Sequence, residues 1–333
     1  MNIFLTGAAG FIGFHTCEMF LKSGAKIWAV DNLNNYYDKG LKVKRLNILK
    51  KNKKFFFQNI DISDNNKLSK FIKNKKFDIL IHLAAQAGVR YSLEKPREYL
   101  KSNLIGFFNI LEVAKNKKVK NFLFASTSSV YGNSKQKKFS ENIGSNHPIQ
   151  FYAATKRSNE IMAHSYSYLY GLQVIGLRFF TVYGPWGRPD MSYFKFSENI
   201  VKKKPIPIFN KGNHTRDFTY IDDAIKIIKE LSKLKLKSKS DVKENNPGSG
   251  NCKFEIFNIS CGKQIKLLDF VQSLKKSLNI NLKMNFIGLQ KGDMIHTHSS
   301  KNKISKFIKL PKPTPYQVGL QKFVDWYKKY KKL

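Results

Sequence analysis

Tyr152 and Lys156 lie four residues apart, which places two side chains on one face of a helix. A tyrosine has an unperturbed pKa of about 10, so it is a poor base at neutral pH. An ammonium group beside it is expected to favour the phenolate and to lower that pKa. Tyr152 can then take a proton from a hydroxyl group while hydride leaves the same carbon atom. The spacing often occurs by chance, so it indicates this chemistry only when other residues agree with it.

A hydroxyl-rich segment, ASTSSVYG at 125–132, follows the fifth predicted strand. Thr127 is the candidate for a hydroxyl group that reaches the reacting oxygen. Taken alone, the segment fits a Ser/Thr-rich turn equally well. Its place in the chain, before Tyr152 and Lys156, favours the catalytic interpretation.

Gly7, Gly10 and Gly13 form the pattern G-x-x-G-x-x-G between the first predicted strand and the first predicted helix. A diphosphate needs backbone N–H groups and a helix N-terminus within close reach, and side chains would block that approach. Glycine triplets alone are a weak signal, and the position after a strand strengthens it. We therefore expect a dinucleotide on this loop, in contact with Phe11 and Ile12.

Asp31 ends the second predicted strand, 18 residues after Gly13. A carboxylate at that point can accept hydrogen bonds from the adenosine ribose hydroxyls and repels a 2′-phosphate. No arginine occurs at 32–34, so the pattern favours NAD over NADP, and a simple turn residue is the alternative. The oxidised nicotinamide ring then adds to Lys156 in lowering the pKa of Tyr152. Asp61 is expected to meet the adenine, with a helix cap as the alternative.

Short apolar runs alternate with amphipathic segments over the first 180 residues. Such alternation is typical of a parallel sheet covered by helices on both faces. The predicted fold class is therefore α/β, a Rossmann-type doubly wound parallel sheet with a smaller, mixed C-terminal substrate-binding domain. The predicted strands are 3–6, 26–31, 55–58, 79–83, 121–126 and 173–179, with a helix around 99–116.

The pattern changes after Phe180. It predicts a loop at 182–189, a strand at 254–259 and helices at 191–203, 220–231, 267–278 and 318–329. We accordingly predict an NAD-binding Rossmann domain at 1–180, with 218–235 packed back on it. The substrate-binding domain is predicted at 181–217 and 250–333, and a flexible surface loop at 236–251.

The formal net charge is +37, and only seven of the 60 basic residues are arginine. The lysines occur in short scattered runs, so we interpret them as solvated surface residues. Two alternatives stay open, attraction of an anionic substrate and nucleic-acid binding. The second is not expected.

Three cysteines, Cys17, Cys252 and Cys261, cannot all pair, and their spacing matches no metal site. We expect reduced thiols, a cytoplasmic location and no metal. No apolar run approaches the roughly 20 residues of a membrane-spanning helix. The N-terminus has no basic region typical of a signal peptide.

Three further blocks are specific enough to identify relatives: HLAAQAGVR at 82–90, RFFTVYGPWGRPDM at 178–191 and RDFTYIDD at 216–223. With them the chain resembles the extended short-chain dehydrogenase/reductase (NAD-dependent epimerase/dehydratase) family over nearly its whole length. Within that family it is most similar to the UDP-glucuronate 4-epimerases. Residues 290–298 depart from the usual form of a late motif, which leaves the substrate-side segment there in doubt.

The resemblance implies roles for individual residues. Thr127, Tyr152 and Lys156 match the catalytic positions, and the last two also match cofactor-binding positions. The other residues that match NAD-binding positions are Gly7, Gly10, Phe11, Ile12, Gly13, Asp31, Asp61, Ile62, Leu83, Ala84, Ala85, Asn103 and Ser126. Those on the substrate side are Arg90, Ser128, Ser129, Thr181, Arg188, Arg216 and Asp293. A surface salt bridge is the alternative role for each of these arginines.

The implied activity is NAD-dependent 4-epimerisation of a UDP-sugar, expected to convert UDP-glucuronate to UDP-galacturonate. Ser128 and Ser129 stand where related dehydratases carry an acid and a base, which argues against dehydration. Their neutral hydroxyls, with that of Thr181, would hold the sugar carboxylate and suppress decarboxylation. The alternatives are a UDP-glucose 4-epimerase, another sugar-nucleotide epimerase or decarboxylase, and a nucleic-acid-binding protein on a dehydrogenase scaffold. Relatives also imply a homodimer, formed through helices near 99–116 and 150–170.

Overall fold

The computed structural model describes residues 1–238, 242, 246–280, 283–289 and 294–333. Within these ranges, the strands are β1 (Asn2–Thr6), β2 (Lys26–Asp31), β3 (Phe55–Asn59), β4 (Ile79–His82), β5 (Asn121–Thr127), β6 (Val174–Phe179), β7 (Thr181–Tyr183), β8 (Ile206–Ile208), β9 (Thr215–Tyr220), β10 (Phe254–Ile259), β11 (Gln264–Lys266) and β12 (Met284–Phe286).

The α-helices of the described residues are α1 (Phe11–Lys22), α2 (Lys39–Lys50), α3 (Asn65–Ile72), α4 (Tyr91–Glu94), α5 (Pro96–Tyr99), α6 (Gly106–Asn116), α7 (Phe151–Tyr170), α8 (Ser192–Val201), α9 (Ile221–Leu231), α10 (Leu267–Leu278) and α11 (Tyr316–Lys331). A π-helical segment, Leu100–Ile105, joins α5 to α6. Single 3₁₀ turns lie at Ser128–Tyr131, Phe209–Gly212 and Ile304–Lys306.

Seven strands form a sheet in the order β10-β6-β5-β4-β1-β2-β3. All neighbouring strands in this sheet run parallel. The chain reverses the direction in which it adds strands between β1 and β4, and ligands of open α/β sheets bind at such a switch point. The predicted Rossmann-type α/β fold is confirmed.

Both faces of this sheet are buried, which explains its nearly continuous apolar strands. Along β1, Ile3 and Leu5 belong to one core, beneath α1, α2 and α9. Phe4 belongs to the opposite core, beneath α3, α6 and α7. The two-residue period of a strand thus divides consecutive apolar residues between the two layers.

One predicted domain boundary needs correction. Phe254–Ile259 was grouped with the substrate-binding range 250–333, but this strand pairs with β6 and completes the large sheet. Its six residues are all buried, so it needs cover on both faces. The chain therefore returns to the large sheet after the excursion through β7, β8 and β9.

The region after Phe179 contains two small sheets, β11-β9-β7 and β12-β8. Val182 and Tyr183, predicted as loop, belong to β7, which pairs with β9. The helix α9 packs against α1 and so lies on the large sheet. The predicted loop 236–251 falls partly on residues outside the description; of its described residues, Leu236 and Ser249 are buried and Asn251 is exposed. Among the described helices, none has the length and apolar character that crossing a membrane requires.

Candidate active site

A cavity of about 350 Å³ opens at the carboxyl ends of the parallel strands. The residues that line it come from several segments, the first being the glycine loop after β1 and the last the segment after β7. The cavity brings together most of the predicted site residues: Gly7, Gly10, Phe11, Ile12, Gly13, Asp31, Ile62, Leu83, Ala84, Ala85, Ser126, Thr127, Ser128, Ser129, Tyr152, Lys156, Thr181 and Arg188.

The glycine loop forms a tight turn between β1 and α1. Gly7 has a φ of +79°, and a Cβ atom on it would lie 2.6 Å from the backbone nitrogen of Ala84. A Cβ atom on Gly13 would lie 2.0 Å from the carbonyl oxygen of Gly7. Side chains are therefore excluded from this loop, and the N-terminus of α1 faces the cavity. This arrangement fits the diphosphate of NAD.

Asp31, at the end of β2, is the carboxylate of the cofactor side. It accepts hydrogen bonds from the backbone nitrogens of Ala9 at 3.0 Å and Leu33 at 2.9 Å. Burial raises the pKa of this carboxyl group. The charge of Lys42 and these two hydrogen bonds act in the opposite direction and lower it. The carboxylate is thus fixed beside the glycine loop, where it suits a ribose.

Two predicted cofactor residues do not line the cavity. Asp61 accepts hydrogen bonds from the backbone nitrogen and hydroxyl of Ser63, at 3.0 and 2.8 Å, and only its neighbour Ile62 reaches the cavity. Asn103 accepts from the nitrogen of Gln86 at 2.8 Å and donates to the hydroxyl of Thr155 at 3.0 Å. Asn103 therefore holds the segment after β4 against α7, because the π-helical turn points its amide at the protein.

Thr127, Tyr152 and Lys156 meet in the cavity, where β5 ends and α7 begins. The side chains of Thr127 and Tyr152 both line this part of the cavity, and Thr127 acts to lower the pKa of Tyr152. The Nζ atom of Lys156 donates to the carbonyl oxygen of Ala125 at 2.8 Å. A phenol, a hydroxyl group and a buried amine are thus assembled on two adjoining elements.

The pKa of Tyr152 differs from the sequence-based expectation. Burial raises it, and Arg188 and Thr127 act to lower it. Burial also lowers the pKa of Lys156 to about 7, while Glu160 acts to raise it. Burial thus acts against the predicted lowering of the pKa of Tyr152, and the combined effect of Lys156 and the nicotinamide ring stays a prediction. The physical reason is that desolvation favours the neutral phenol over the charged phenolate.

The substrate side of the cavity carries hydroxyl groups and one guanidinium. Ser128, Ser129 and Thr181 line it together with Arg188. The Nε atom of Arg188 donates to Asp190 Oδ1 at 3.0 Å, so the charge of this arginine is partly compensated.

Three further substrate-side predictions fall elsewhere. Arg90 lies over the ring of Phe209 at 4.6 Å, outside the cavity lining. Arg216 donates to the carbonyl oxygens of its neighbour Thr215 and of Ile295, at 3.0 and 2.9 Å, and also lies outside the lining. Asp293 lies outside the described residues. Substrate binding by these three residues stays a prediction.

Sequence reasoning missed several residues that line the cavity, among them Tyr36, Lys42 and Gln86. The hydroxyl of Tyr36 donates to Asp190 at 3.0 Å. The Nζ atom of Lys42 donates to the side chain of Asn34 at 2.8 Å. Lys42 carried no usable signal among so many lysines. The tyrosine is brought to the site by a contact between distant segments.

The chain is similar to known sugar-nucleotide enzymes over nearly its whole length. Residues 3–239 match the model of the NAD dependent epimerase/dehydratase family. The chain is 43% identical to Protein CapI of Staphylococcus aureus, with all of both chains covered. It is 41% identical to UDP-glucuronate 4-epimerase 4 of Arabidopsis thaliana, over 99% of this chain and 76% of the relative.

Among solved structures, a UDP-glucuronic acid 4-epimerase from Bacillus cereus, in complex with UDP-glucuronic acid and NAD, superposes with a TM-score of 0.88. Its sequence is 32% identical, over 99% of this chain and 100% of that chain. These similarities confirm the predicted relationship and the predicted NAD. The chain belongs to the NAD-dependent epimerase/dehydratase family.

Proposed function

We propose that the protein interconverts UDP-glucuronate and UDP-galacturonate by epimerisation at C4 of the sugar. The observation that carries the proposal is the meeting of Thr127, Tyr152 and Lys156 with three neutral hydroxyl side chains in one cavity. The similarity to UDP-glucuronate 4-epimerases over the whole chain supports the same substrate. NAD, when bound, supplies the oxidation and reduction of C4.

The residues of the chain account for proton transfer. Tyr152 takes the proton of the C4 hydroxyl group and returns it after the 4-keto sugar has rotated to present its other face. Thr127, which lines the cavity with Tyr152, orients the phenol and the sugar hydroxyl. Lys156 supplies a positive charge on the same helix face, fixed by the carbonyl of Ala125. The burial of Tyr152 keeps bulk water away from the transferred proton.

The proposal also covers carboxylate recognition. Oxidation at C4 of a uronate gives a β-keto acid, which loses carbon dioxide when its carboxylate rotates out of the plane of the carbonyl group. Ser128, Ser129 and Thr181 are neutral hydrogen-bond donors that can hold the carboxylate in place. No carboxylate side chain stands at positions 128 and 129, where an acid or base would favour elimination or decarboxylation.

The remaining residues of the cofactor and substrate sides complete the proposal. Gly7, Gly10 and Gly13 hold the diphosphate of NAD, and Asp31 holds its adenosine ribose. Arg188 binds the uridine diphosphate. The cytoplasm is the proposed location, which is supported by three free, buried cysteines.

We further propose a homodimer. Exposed apolar side chains lie along the π-helical segment, α6 and α7, for example Ile105 at 53%, Phe108 at 46% and Ile161 at 58% exposure. The helices α6 and α7 pack side by side. A second copy that covers this surface would form a bundle of helices and bury these residues. Light scattering coupled to size-exclusion chromatography tests it, with Ile161→Lys expected to give monomers.

The activity test compares UDP-glucuronate, UDP-glucose and UDP-galacturonate as substrates, with products separated by chromatography. We expect the two uronates to interconvert and the neutral sugar to turn over far more slowly. Conversion of UDP-glucose alone would replace the proposed substrate by a neutral hexose. A UDP-pentose as the main product would identify a decarboxylase. If no substrate is converted and the protein binds RNA, the alternative of a nucleic-acid-binding protein on a dehydrogenase scaffold would be favoured.

A further inference from the structure

Arg45 is a fully buried arginine on α2, and the proposed mechanism leaves it without a role. Its Nη1 atom donates to the carbonyl oxygen of Ala9 at 2.7 Å and to the hydroxyl of Tyr37 at 2.9 Å. Its Nη2 atom donates to the carbonyl oxygens of Trp186 at 2.5 Å and Gly187 at 3.1 Å. One guanidinium thus makes four hydrogen bonds.

These bonds connect the glycine loop to the segment that precedes Arg188. Ala9 lies in the glycine loop, between Gly7 and Gly10, and its own nitrogen donates to Asp31. Trp186 and Gly187 directly precede Arg188 on the substrate side. Arg45 lies 36 residues from Ala9 and 141 residues from Trp186 along the chain.

The turn before Arg188 has a rare backbone conformation, and Arg45 donates hydrogen bonds to its carbonyl oxygens. Trp186 has a φ of +59°, a conformation that a bulky side chain rarely adopts. The indole packs against Phe14 of α1 and against Trp326 of α11, with ring centroids 5.5 and 5.3 Å apart. A backbone in this region is kept only when its surroundings fix it, and the hydrogen bonds of Arg45 are part of those surroundings.

The charge of Arg45 is held by neutral groups within the described part of the chain. Among the residues that the structure describes, none of its hydrogen-bond acceptors is a carboxylate, and its Nε atom has no partner. A buried cation of this kind is unfavourable unless anionic groups lie near it. Asp31 is one such group in its field. A diphosphate on the glycine loop would be the second.

We propose that Arg45 is a positioning residue that couples NAD binding to substrate binding. Its charge favours the diphosphate of NAD on the glycine loop, and its fork fixes the turn that places Arg188. Lysine cannot replace it, because an ammonium group is a point donor and cannot reach both loops as a planar fork does. Occupation of one side therefore orders the other side through a shared side chain.

The inference rests on the proposed function for its substrate side, and the experiment uses UDP and NAD without turnover. Calorimetry measures the dissociation constant of UDP in the NAD-free and NAD-saturated proteins, for the wild type, Arg45→Lys and Arg45→Met. The control is Arg97→Met, which removes the same charge from an exposed position. Circular dichroism melting reports whether each variant folds.

In the wild type and in Arg97→Met, we expect NAD to tighten UDP binding. In Arg45→Met, NAD binding weakens by about 10- to 100-fold, because hydrogen bonds to a buried charge are lost. In both Arg45 variants, the dissociation constant of UDP should be nearly the same with and without NAD. If Arg45→Met does not fold, Arg45→Lys decides the question, because it keeps the charge and loses only the fork.

An unchanged effect of NAD on UDP affinity in folded Arg45→Lys would overturn the proposal, as would a wild type without any such effect. These results are independent of the sugar. Failure of the coupling leaves the epimerase reaction intact, and failure of the epimerase assay leaves the coupling measurable.

Discussion

The Nζ atom of Lys156 lies 2.8 Å from the carbonyl oxygen of Ala125 and donates a hydrogen bond to it. This bond joins α7 to β5 two residues before Thr127 and one helical turn after Tyr152. The cation is therefore fixed by a neutral backbone group in a buried position. Both the reactivity of the site and its stability follow from that arrangement.

Tyr152→Phe is expected to reduce kcat by about 100- to 10,000-fold, because it removes the group that transfers the proton. Its ring packing against Tyr99, with centroids 6.1 Å apart, remains possible, so the melting temperature should stay near that of the wild type. Tyr131→Phe is the control, since its phenol donates to Asn258 at 2.7 Å away from the proton transfer. That variant should lose about 1 kcal/mol of stability and keep its activity. Full activity of Tyr152→Phe would exclude the proposed mechanism.

Lys156→Met is expected to lower kcat by about 100-fold or more and to stabilise the fold at neutral pH. Burial lowers the pKa of Lys156 to about 7 in the folded protein, against about 10.4 in an unfolded chain. The cost of the buried charge is therefore fully present below pH 7 and disappears as the pH rises towards 10. The stability advantage of the variant should shrink over that range.

Urea denaturation at pH 6 and pH 9 measures this difference. Lys120→Met, at a residue whose side chain is 80% exposed, is the control and should show no such pH dependence. A stability advantage of Lys156→Met that is equal at both pH values would contradict the pKa shift.

Ser128→Ala and Ser129→Ala are expected to divert UDP-glucuronate towards a UDP-pentose. Each variant removes one neutral donor from the carboxylate side of the cavity, so the 4-keto intermediate rotates more freely. One hydrogen bond of ordinary strength corresponds to about a 2- to 10-fold change in the ratio of pentose to galacturonate product. Chromatography of the products, with trapped carbon dioxide as a second measure, gives this ratio. Ser134→Ala, on the exposed turn after the site, should leave it unchanged.

Local patterns in the sequence were sufficient to predict the strands and the glycine loop, because both depend on neighbouring residues. Phe254–Ile259 was predicted as a strand with the correct bounds. Its place beside β6 was missed, because pairing between distant segments leaves no local pattern.

The same limit applies to the site. Asn103 was expected to face the cofactor, but its amide bonds to Gln86 and Thr155 because a π-helical turn sets its direction. Arg45 had no motif around it, and its role depends on contacts with a turn 141 residues away. Tyr152 and Lys156 were found because their four-residue spacing is a property of one helix.

Glu160→Gln tests the ion pair behind the catalytic helix. Glu160 accepts from Arg178 Nε at 2.8 Å and from the hydroxyl of Ser126 at 2.6 Å, and both charged side chains are fully buried. The substitution leaves the charge of Arg178 without compensation, which is expected to cost about 3–5 kcal/mol of stability. Glu160 also acts to raise the pKa of Lys156, so its loss should lower that pKa further.

We expect kcat to fall as the pH rises and Lys156 loses its charge. In Glu160→Gln, this fall should begin at a lower pH than in the wild type. Glu230→Gln is the control, because its partner Lys233 has a side chain that is 58% exposed. A destabilised variant with an unshifted pH profile would show that the pair acts on folding alone.

Asp31→Asn is expected to weaken NAD binding. It should also reduce the difference between the affinities for NAD and NADP. The carboxylate of Asp31 is held by the nitrogens of Ala9 and Leu33 beside the glycine loop, so its negative charge opposes a 2′-phosphate at short range. In the wild type, the charge of Lys42 acts to lower the pKa of Asp31. Once the carboxylate is removed, Lys42 is available to attract the 2′-phosphate. The ratio of the NADP to the NAD dissociation constant should fall by about 10-fold or more, as measured by calorimetry. Asp64→Asn, which alters the exposed cap of α3 and its ion pair with Lys67, should leave the ratio as it is. If Asp31→Asn excludes NADP as strongly as the wild type does, the shape of the loop and not the charge of Asp31 selects the cofactor.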